Sequence, residues 1–124
     1  MARILIADDS EFLRTHVRAF LQRPGWFLCG EAANGRQAVL MASQLKPDAI
    51  VLDFAMPMLN GIEAAREILK ALPSVPIVLY TVYRNPHLER DAIEAGIRKV
   101  ISKGEGQDAL IASLQGLLAV GPTL

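Results

Sequence analysis

The chain has 124 residues and a mass of 13.5 kDa, a size typical of a single domain. Hydrophobic residues make up 52 % of it, which is enough to fill a core and excludes a disordered chain. Thirteen basic residues balance thirteen acidic ones, which argues against a nucleic-acid-binding surface. The single Cys29 excludes an internal disulfide, and no apolar run approaches the roughly 18–20 residues of a membrane span. We therefore expect a soluble, cytoplasmic domain that contacts neither nucleic acid nor membrane.

Five short apolar runs predict five β-strands. The runs lie at residues 3–7, 26–32, 48–52, 76–80 and 99–102. Three of them are nearly continuous rather than alternating, as in parallel strands that are buried on both faces. The spacing of the runs leaves room for a helix after each strand.

The segments between the runs predict helices, because their apolar residues recur at helical spacing. Val17 and Leu21 show this spacing in the first segment, and Leu110 and Leu114 show it in the last. Residues typical of helix starts precede or open four of these segments: Ser10, Asn34, Asn60, and Asn85 followed by Pro86.

The alternation of strand and helix, five times over, predicts an α/β fold. Right-handed crossovers place helices on both faces of a five-stranded parallel sheet, which gives three layers and a (βα)5, flavodoxin-like, doubly wound topology. We expect this domain to occupy residues 1–120, with residues 121–124 as a tail or the start of a linker.

Five polar side chains follow four of the predicted strands. Asp8 and Asp9 follow the first strand, Asp53 the third, Thr81 the fourth and Lys103 the fifth. Ligands of an open parallel sheet bind beyond the carboxyl ends of its strands. We therefore expect these side chains to converge at one edge of the sheet.

The chemistry of this set points to phosphoryl transfer. Three neighbouring carboxylates repel one another, so the pKa of at least one would rise without a cation. A hard divalent cation such as Mg²⁺ removes that conflict. Asp53 would then stay ionised and act as an oxygen nucleophile on phosphorus, while Lys103 and Thr81 would donate to the phosphoryl oxygens.

Four segments carry a resemblance to a known family. They are ILIADDS, IVLDFAMPMLNGIEA, VLYT and AGIRKVISK, in this order on the predicted pattern. With them, the chain resembles a receiver (response-regulator) domain of bacterial two-component signalling over essentially all of residues 1–120. Two longer segments most closely resemble receivers whose parent proteins carry a helix-turn-helix output domain: GEAANGRQAV and LKPDAIVLDFAMPMLNGIEAA.

The resemblance implies a metal site and its ligands. Asp9 and Asp53 would bind Mg²⁺ directly, Asp8 would act mainly through water, and the backbone carbonyl of Ala55 would complete the protein ligands. Mn²⁺ is an alternative cation. No other cofactor is implied.

The resemblance also implies a signalling role and partners. A sensor histidine kinase or phosphotransfer protein would phosphorylate Asp53, Thr81 and Lys103 would bind the phosphoryl group, and Thr81 would shift towards it. The chain would then be a switch with slow self-dephosphorylation rather than a turnover enzyme. A downstream protein target or a fused output domain would respond to the changed surface, and phosphorylation-dependent homodimers are common in the family.

Several positions depart from the family pattern. Lys99 and Val100 stand where the family usually carries a glycine and an aromatic residue, and the aromatic serves there as a second switch. Tyr83 is the nearest aromatic that could take over that role. Val82 replaces a smaller residue and could narrow the path to the aspartate, and Gly104 replaces a common proline.

Three alternatives stay open. A receiver-like protein-interaction scaffold that works without phosphorylation is the first. A dehalogenase-like phosphatase would need a second aspartate where Ala55 stands, and a flavin- or nucleotide-binding module would need a phosphate loop where Asp8 and Asp9 stand.

One predicted surface lies around the fourth helix and the fifth strand. It would be either an output face or a solvated edge, and its residues are Tyr83, Asn85, His87, Lys99 and Ser102.

Overall fold

Strands and helices alternate along the chain in the computed structural model, which describes residues 1–119. The elements are β1 (Ala2–Ala7), α1 (Glu11–Leu21), β2 (Trp26–Ala32), α2 (Gly35–Leu45), β3 (Ala49–Leu52), α3 (Gly61–Ala71), β4 (Ile77–Thr81), α4 (Pro86–Ala95), β5 (Lys99–Ser102), a 3-10 turn (Lys103–Glu105) and α5 (Gln107–Ala119). The predicted order of elements is confirmed, and the predicted tail at 121–124 lies outside the described residues.

All five strands form one parallel sheet in the order β2-β1-β3-β4-β5. The predicted doubly wound α/β topology is therefore confirmed. Strands β1 and β3 lie in the interior of the sheet with a partner on either side, whereas β2 and β5 form its edges. The acidic residues that follow β1 and β3 consequently leave from neighbouring strands.

The sheet separates two hydrophobic cores. Successive strand side chains point to opposite faces, so that β1 sends Leu5 to one core and Ile4 and Ile6 to the other. Helices α2, α3 and α4 cover the face that contains Leu5, and α1 and α5 cover the opposite face. No helix within residues 1–119 has the length and apolar character needed to cross a membrane.

The helix starts follow the predicted capping residues. The side chains of Ser10, Asn34, Asn60 and Asn85 each accept a hydrogen bond from the backbone N–H three residues on. Pro86 occupies the first turn of α4, where its missing N–H is not needed. Local sequence therefore fixes where these helices leave the carboxyl edge of the sheet.

Four strand boundaries, in three strands, differ from the prediction by one residue. Strands β1 and β4 are the clearest cases, since β1 begins at Ala2 and β4 runs from Ile77 to Thr81. The sequence pattern places Thr81 after the strand, but Thr81 pairs in register with Ser102 of β5 and so ends β4. This pairing places the Thr81 side chain within the sheet.

Candidate functional site

Three carboxylates meet at the carboxyl edge of the sheet. One oxygen each from Asp8, Asp9 and Asp53 lies within 4.8 Å of the others. Asp8 and Asp53 are buried, whereas Asp9 is exposed at the start of the loop to α1. The predicted convergence of the acids from β1 and β3 is present in the structure.

Lys103 lies against two of these acids. Its Nζ donates to Asp8 Oδ2 at 2.8 Å and lies 3.4 Å from Asp53 Oδ1. Lys103 opens the 3-10 turn after β5, and the side chains of Ser102 and Glu105 cap that turn reciprocally. Three carboxylates thus share one ammonium, which leaves two negative charges uncompensated if all groups are ionised.

The ionisation of Asp53 reflects this imbalance. The pKa of Asp53 is raised to about 6, chiefly by burial and then by the negative charge of Asp8. Lys103 and the Phe54 N–H act in the opposite direction, because they stabilise the ionised carboxylate. This agrees with the expectation that one carboxyl pKa rises when no cation is bound. Oxygen donors with excess negative charge fit a hard divalent cation such as Mg²⁺.

The backbone around Asp53 is tightly fixed. Its N–H donates to the Ala7 carbonyl at 2.9 Å, and its own Oδ1 accepts from the Phe54 N–H at 2.9 Å. Gly61 starts α3 directly against this segment, since a Cβ atom there would overlap the Asp53 carbonyl oxygen. Only glycine allows this approach. Asn60 therefore caps α3, while Gly61 lets the start of α3 pack directly against the Asp53 backbone.

Thr81 is fully buried at the end of β4, and its Oγ1 accepts from the Tyr83 N–H at 3.2 Å. The Tyr83 side chain is 55 % exposed and meets the Phe54 ring edge-on, with centroids 6.4 Å apart. Val82 is 64 % exposed, so its side chain faces solvent. An aromatic contact therefore joins the segment after Thr81 to the residue after Asp53.

The remaining predicted residues fall near the site or away from it. Ala55 lies two residues after Asp53 in the loop between β3 and α3 and is half-buried. His16 and His87 are exposed on α1 and α4. Cys29 is half-buried and packs against the core on the α2 side.

Arg14 and Phe54 contact the site although the sequence pattern did not single them out. Arg14 donates to the Asp8 carbonyl, and Phe54 donates to the Asp53 carboxylate. The only local signal for Arg14 is its position one turn after the Ser10 cap.

Residues 4–115 match the family model described as the response regulator receiver domain. The chain belongs to this family. Receiver domains are generally regulatory modules of two-component signalling rather than catalytic ones. This membership separates the chain from the phosphatase and nucleotide-binding alternatives.

Curated relatives include short proteins and longer ones. The chain is 38 % identical to chemotaxis protein CheY of Thermotoga maritima over 101 residues, which cover 82 % of the chain and 84 % of that protein. It is 37 % identical to protein CcdB of Bacillus subtilis over 83 % of the chain and 86 % of that relative. It is also 29 % identical to response regulator GacA of Pseudomonas protegens over 96 % of the chain, but these residues span 56 % of GacA.

Solved structures show the same fold. The response regulator domain of Thermotoga maritima CheB superposes with a TM-score of 0.90 at 29 % identity, over 98 % of the chain and 99 % of that domain. A LuxR-family response regulator from Aurantimonas gives a TM-score of 0.90 at 29 % identity, over 96 % of the chain and 86 % of that structure. The likeness to these response regulators agrees with the expected resemblance.

Proposed function

We propose that this receiver domain is a phosphorylation-controlled switch whose phosphoacceptor is Asp53. The observation that supports the proposal is the pairing of Lys103 with Asp8 and Asp53 inside a cluster of three carboxylates. A nucleophilic carboxylate, an ammonium for the phosphoryl oxygens and a set of hard oxygen ligands are thereby within reach of one another.

The donor is a phosphohistidine on a sensor histidine kinase or on a phosphotransfer protein. A lone pair of an Asp53 oxygen forms the new bond to phosphorus, and the phosphorus–nitrogen bond of the donor breaks. The electron pair of that bond stays on the imidazole nitrogen, which takes a proton from solvent. Later attack of water on phosphorus releases inorganic phosphate and restores the Asp53 carboxylate.

The acids fit a divalent cation. Asp9 and Asp53 would hold Mg²⁺ directly, Asp8 would hold it mainly through water, and the Ala55 carbonyl would complete the protein ligands, with Mn²⁺ as an alternative. When bound, the cation neutralises the charge that develops on the transferring phosphoryl group. Its double charge equals the excess of the three acids over Lys103.

Lys103 and Thr81 act on the transferred group. The Lys103 ammonium, already 3.4 Å from Asp53 Oδ1, would bind a phosphoryl oxygen. The Thr81 hydroxyl would turn away from the Tyr83 N–H and donate to a second phosphoryl oxygen. Loss of the hydrogen bond to Tyr83 would alter the contact between the Tyr83 and Phe54 rings. Val100 is buried in the core and has no ring to move, so we assign the altered surface to Tyr83.

The proposed phosphorylation of Asp53 also implies partners for the switch. A downstream protein target, or an output domain fused in a longer protein, would recognise the altered surface in the cytoplasm. Phosphorylation would also favour a homodimer. We expect this domain itself to bind neither nucleic acid nor membrane.

Intact mass spectrometry tests the phosphoacceptor. Incubation with acetyl phosphate and Mg²⁺ is expected to add one phosphoryl group to the native chain and none to Asp53→Asn. The matched control Asp108→Asn, which changes an aspartate in the first turn of α5, should label like the native chain.

Chelation of the metal should abolish the adduct. Equal labelling of Asp53→Asn and the native chain would contradict the proposal. No adduct from acetyl phosphate or from a phosphorylated histidine kinase would favour the alternative, a receiver-like scaffold that acts without phosphorylation.

A further inference from the structure

Arg14 of α1 contacts the acidic cluster through the backbone of Asp8, and the roles proposed above do not use this contact. Its Nη1 donates to the Asp8 carbonyl oxygen at 2.6 Å, and its Nε lies 3.4 Å from Glu31 Oε1 in β2. The Arg14 side chain is only 16 % exposed. The guanidinium is therefore fixed at one end by the acidic cluster and at the other by the edge strand.

All four polar groups of Asp8 have a partner. Its N–H donates to the Ala32 carbonyl at 3.0 Å, and its Oδ1 and Oδ2 accept from the Ser10 N–H at 2.9 Å and from Lys103 Nζ at 2.8 Å. Arg14 supplies the donor for the fourth group, the carbonyl oxygen. Removing Arg14 would free this carbonyl and with it the peptide that joins Asp8 to Asp9.

Little space is left beside the acids while Arg14 is in place. The cavity there has a volume of about 10 Å³, and Asp8, Arg14, Asp53 and Tyr80 are among its lining residues. A single water needs at least about 10–15 Å³ and several polar partners. In the native protein, the Arg14 guanidinium is therefore the group that donates to the Asp8 carbonyl, rather than a water in this cavity.

Arg18 provides an internal comparison, because it pairs with the same glutamate without contacting Asp8. Its Nε lies 2.5 Å from Glu31 Oε2, and its Nη2 donates to Oε1 at 3.1 Å. The hydrogen bond from Arg18 lowers the pKa of Glu31, and the charges of both arginines add to this effect and outweigh the opposing effect of burial. Either arginine can be removed while the other stays paired with an ionised Glu31.

We propose that Arg14 is a positioning residue for the metal-binding acids, which acts through its hydrogen bond to the Asp8 carbonyl. The bond fixes the direction of the turn from β1 to α1 and so the placement of the Asp8 and Asp9 carboxylates. The inference rests on the proposed function, since it takes these acids as ligands of a divalent cation. Groups that orient metal ligands commonly contribute roughly 10–100-fold to metal affinity.

Charge alone predicts the opposite effect. Arg14 is a cation that contacts Asp8, so its removal without any loss of positioning would strengthen the attraction of the acids for a divalent cation. The sign of the change in metal affinity therefore distinguishes positioning from a purely electrostatic role.

The test is the affinity for Mn²⁺ alone, measured by electron paramagnetic resonance on the native chain, Arg14→Met and Arg18→Met. Methionine retains an unbranched apolar stem and removes the guanidinium. We expect Arg14→Met to lose about tenfold in Mn²⁺ affinity. Arg18→Met should bind Mn²⁺ as the native chain does, because it leaves the Asp8 carbonyl paired. Thermal unfolding of both variants shows whether each is folded.

Native or tighter Mn²⁺ binding by Arg14→Met would overturn the inference, as would an equal loss in Arg18→Met. If Arg14→Met fails to fold, Arg14→Leu decides by the same criterion, because leucine also removes every side-chain donor to the Asp8 carbonyl. A native chain that binds no Mn²⁺ contradicts the proposed function itself, an outcome distinct from equal binding by the native chain and Arg14→Met.

Discussion

Asp53 carries a conflict between burial and charge at the centre of the site. Its side chain is buried, and its pKa is raised to about 6. The ionised carboxylate is therefore less stable in the folded protein than in the unfolded chain. The folded pKa lies above the unfolded value, so the stabilisation from this group is complete below about pH 4 and is lost as the pH rises through about 6.

Replacing Asp53 should therefore stabilise the metal-free protein. At pH 7, Asp53→Asn is expected to raise the free energy of unfolding by about 2 kcal/mol, because it removes a shift of roughly two pKa units, which is worth up to about 3 kcal/mol before screening by solvent. Urea unfolding of chelator-treated protein between about pH 4 and pH 7 measures this difference. The gain should shrink towards the acidic end of that range, where the native carboxyl is protonated.

The control for this prediction is Asp108→Asn, whose carboxylate lies in the first turn of α5, away from the acidic cluster. It should change stability by less than about 0.5 kcal/mol at any of these pH values. A gain for Asp53→Asn that does not vary with pH would show that burial of its charge is not the cause.

Residue identity alone was enough to predict the three acids, but not all of their contacts. Asp8, Asp9 and Asp53 each follow a strand, so the topology brings them together whatever the side-chain conformations. The contact of Arg14 with Asp8 depends on how α1 packs against β2, and the pairing of Phe54 with Tyr83 depends on two loops. Neither distance is encoded in local spacing.

At the scale of elements, the start of α3 is fixed by a close approach of two backbones. A Cβ atom on Gly61 would overlap the Asp53 carbonyl oxygen and lie 2.8 Å from Leu79 Cδ1, whereas a Cβ atom on Gly116 in α5 would have no neighbour within 4 Å. The same substitution, glycine to alanine, therefore has opposite consequences in the two helices.

Gly61→Ala is expected to lower the free energy of unfolding by about 2–4 kcal/mol, because backbone atoms must move apart. Gly116→Ala should instead raise it by about 0.5–1 kcal/mol, since alanine favours a helix interior. Thermal or urea unfolding of the two variants checks both signs. A stability loss in Gly116→Ala as large as in Gly61→Ala would contradict the close approach at α3.

Helix starts were predictable because they depend on near neighbours in the chain. The Asn60 side chain accepts from the Glu63 N–H, and the Glu63 carboxylate accepts from the Asn60 N–H, so a single short segment contains the whole interaction. Strand ends were less predictable, because pairing across the sheet decides them. Thr81 belongs to β4 only because Ser102 lies beside it.

At the scale of the whole molecule, cation binding should be coupled to folding. The acids follow β1 and β3, which are brought together only in the folded sheet, so an unfolded chain has no comparable site. Under linkage, Mg²⁺ at about 100 times its dissociation constant stabilises the fold by about 2.7 kcal/mol.

Differential scanning calorimetry should therefore show a melting temperature that rises by several degrees with Mg²⁺. Asp53→Asn should lose most of this increase because it lacks one charged ligand, while Asp108→Asn should retain it. A melting temperature of the native chain that is independent of Mg²⁺ would contradict the proposed ligands.

The order of strands also bears on how separate parts of the site open. Lys103 follows β5, which has a partner on one side only, whereas Asp8 and Asp53 follow strands paired on both sides. Amide protons of β5 are therefore expected to exchange with solvent through a local opening that leaves β1 and β3 paired with each other. Because Lys103 follows an edge strand, we expect it to leave and rejoin the acids on a faster timescale than global unfolding.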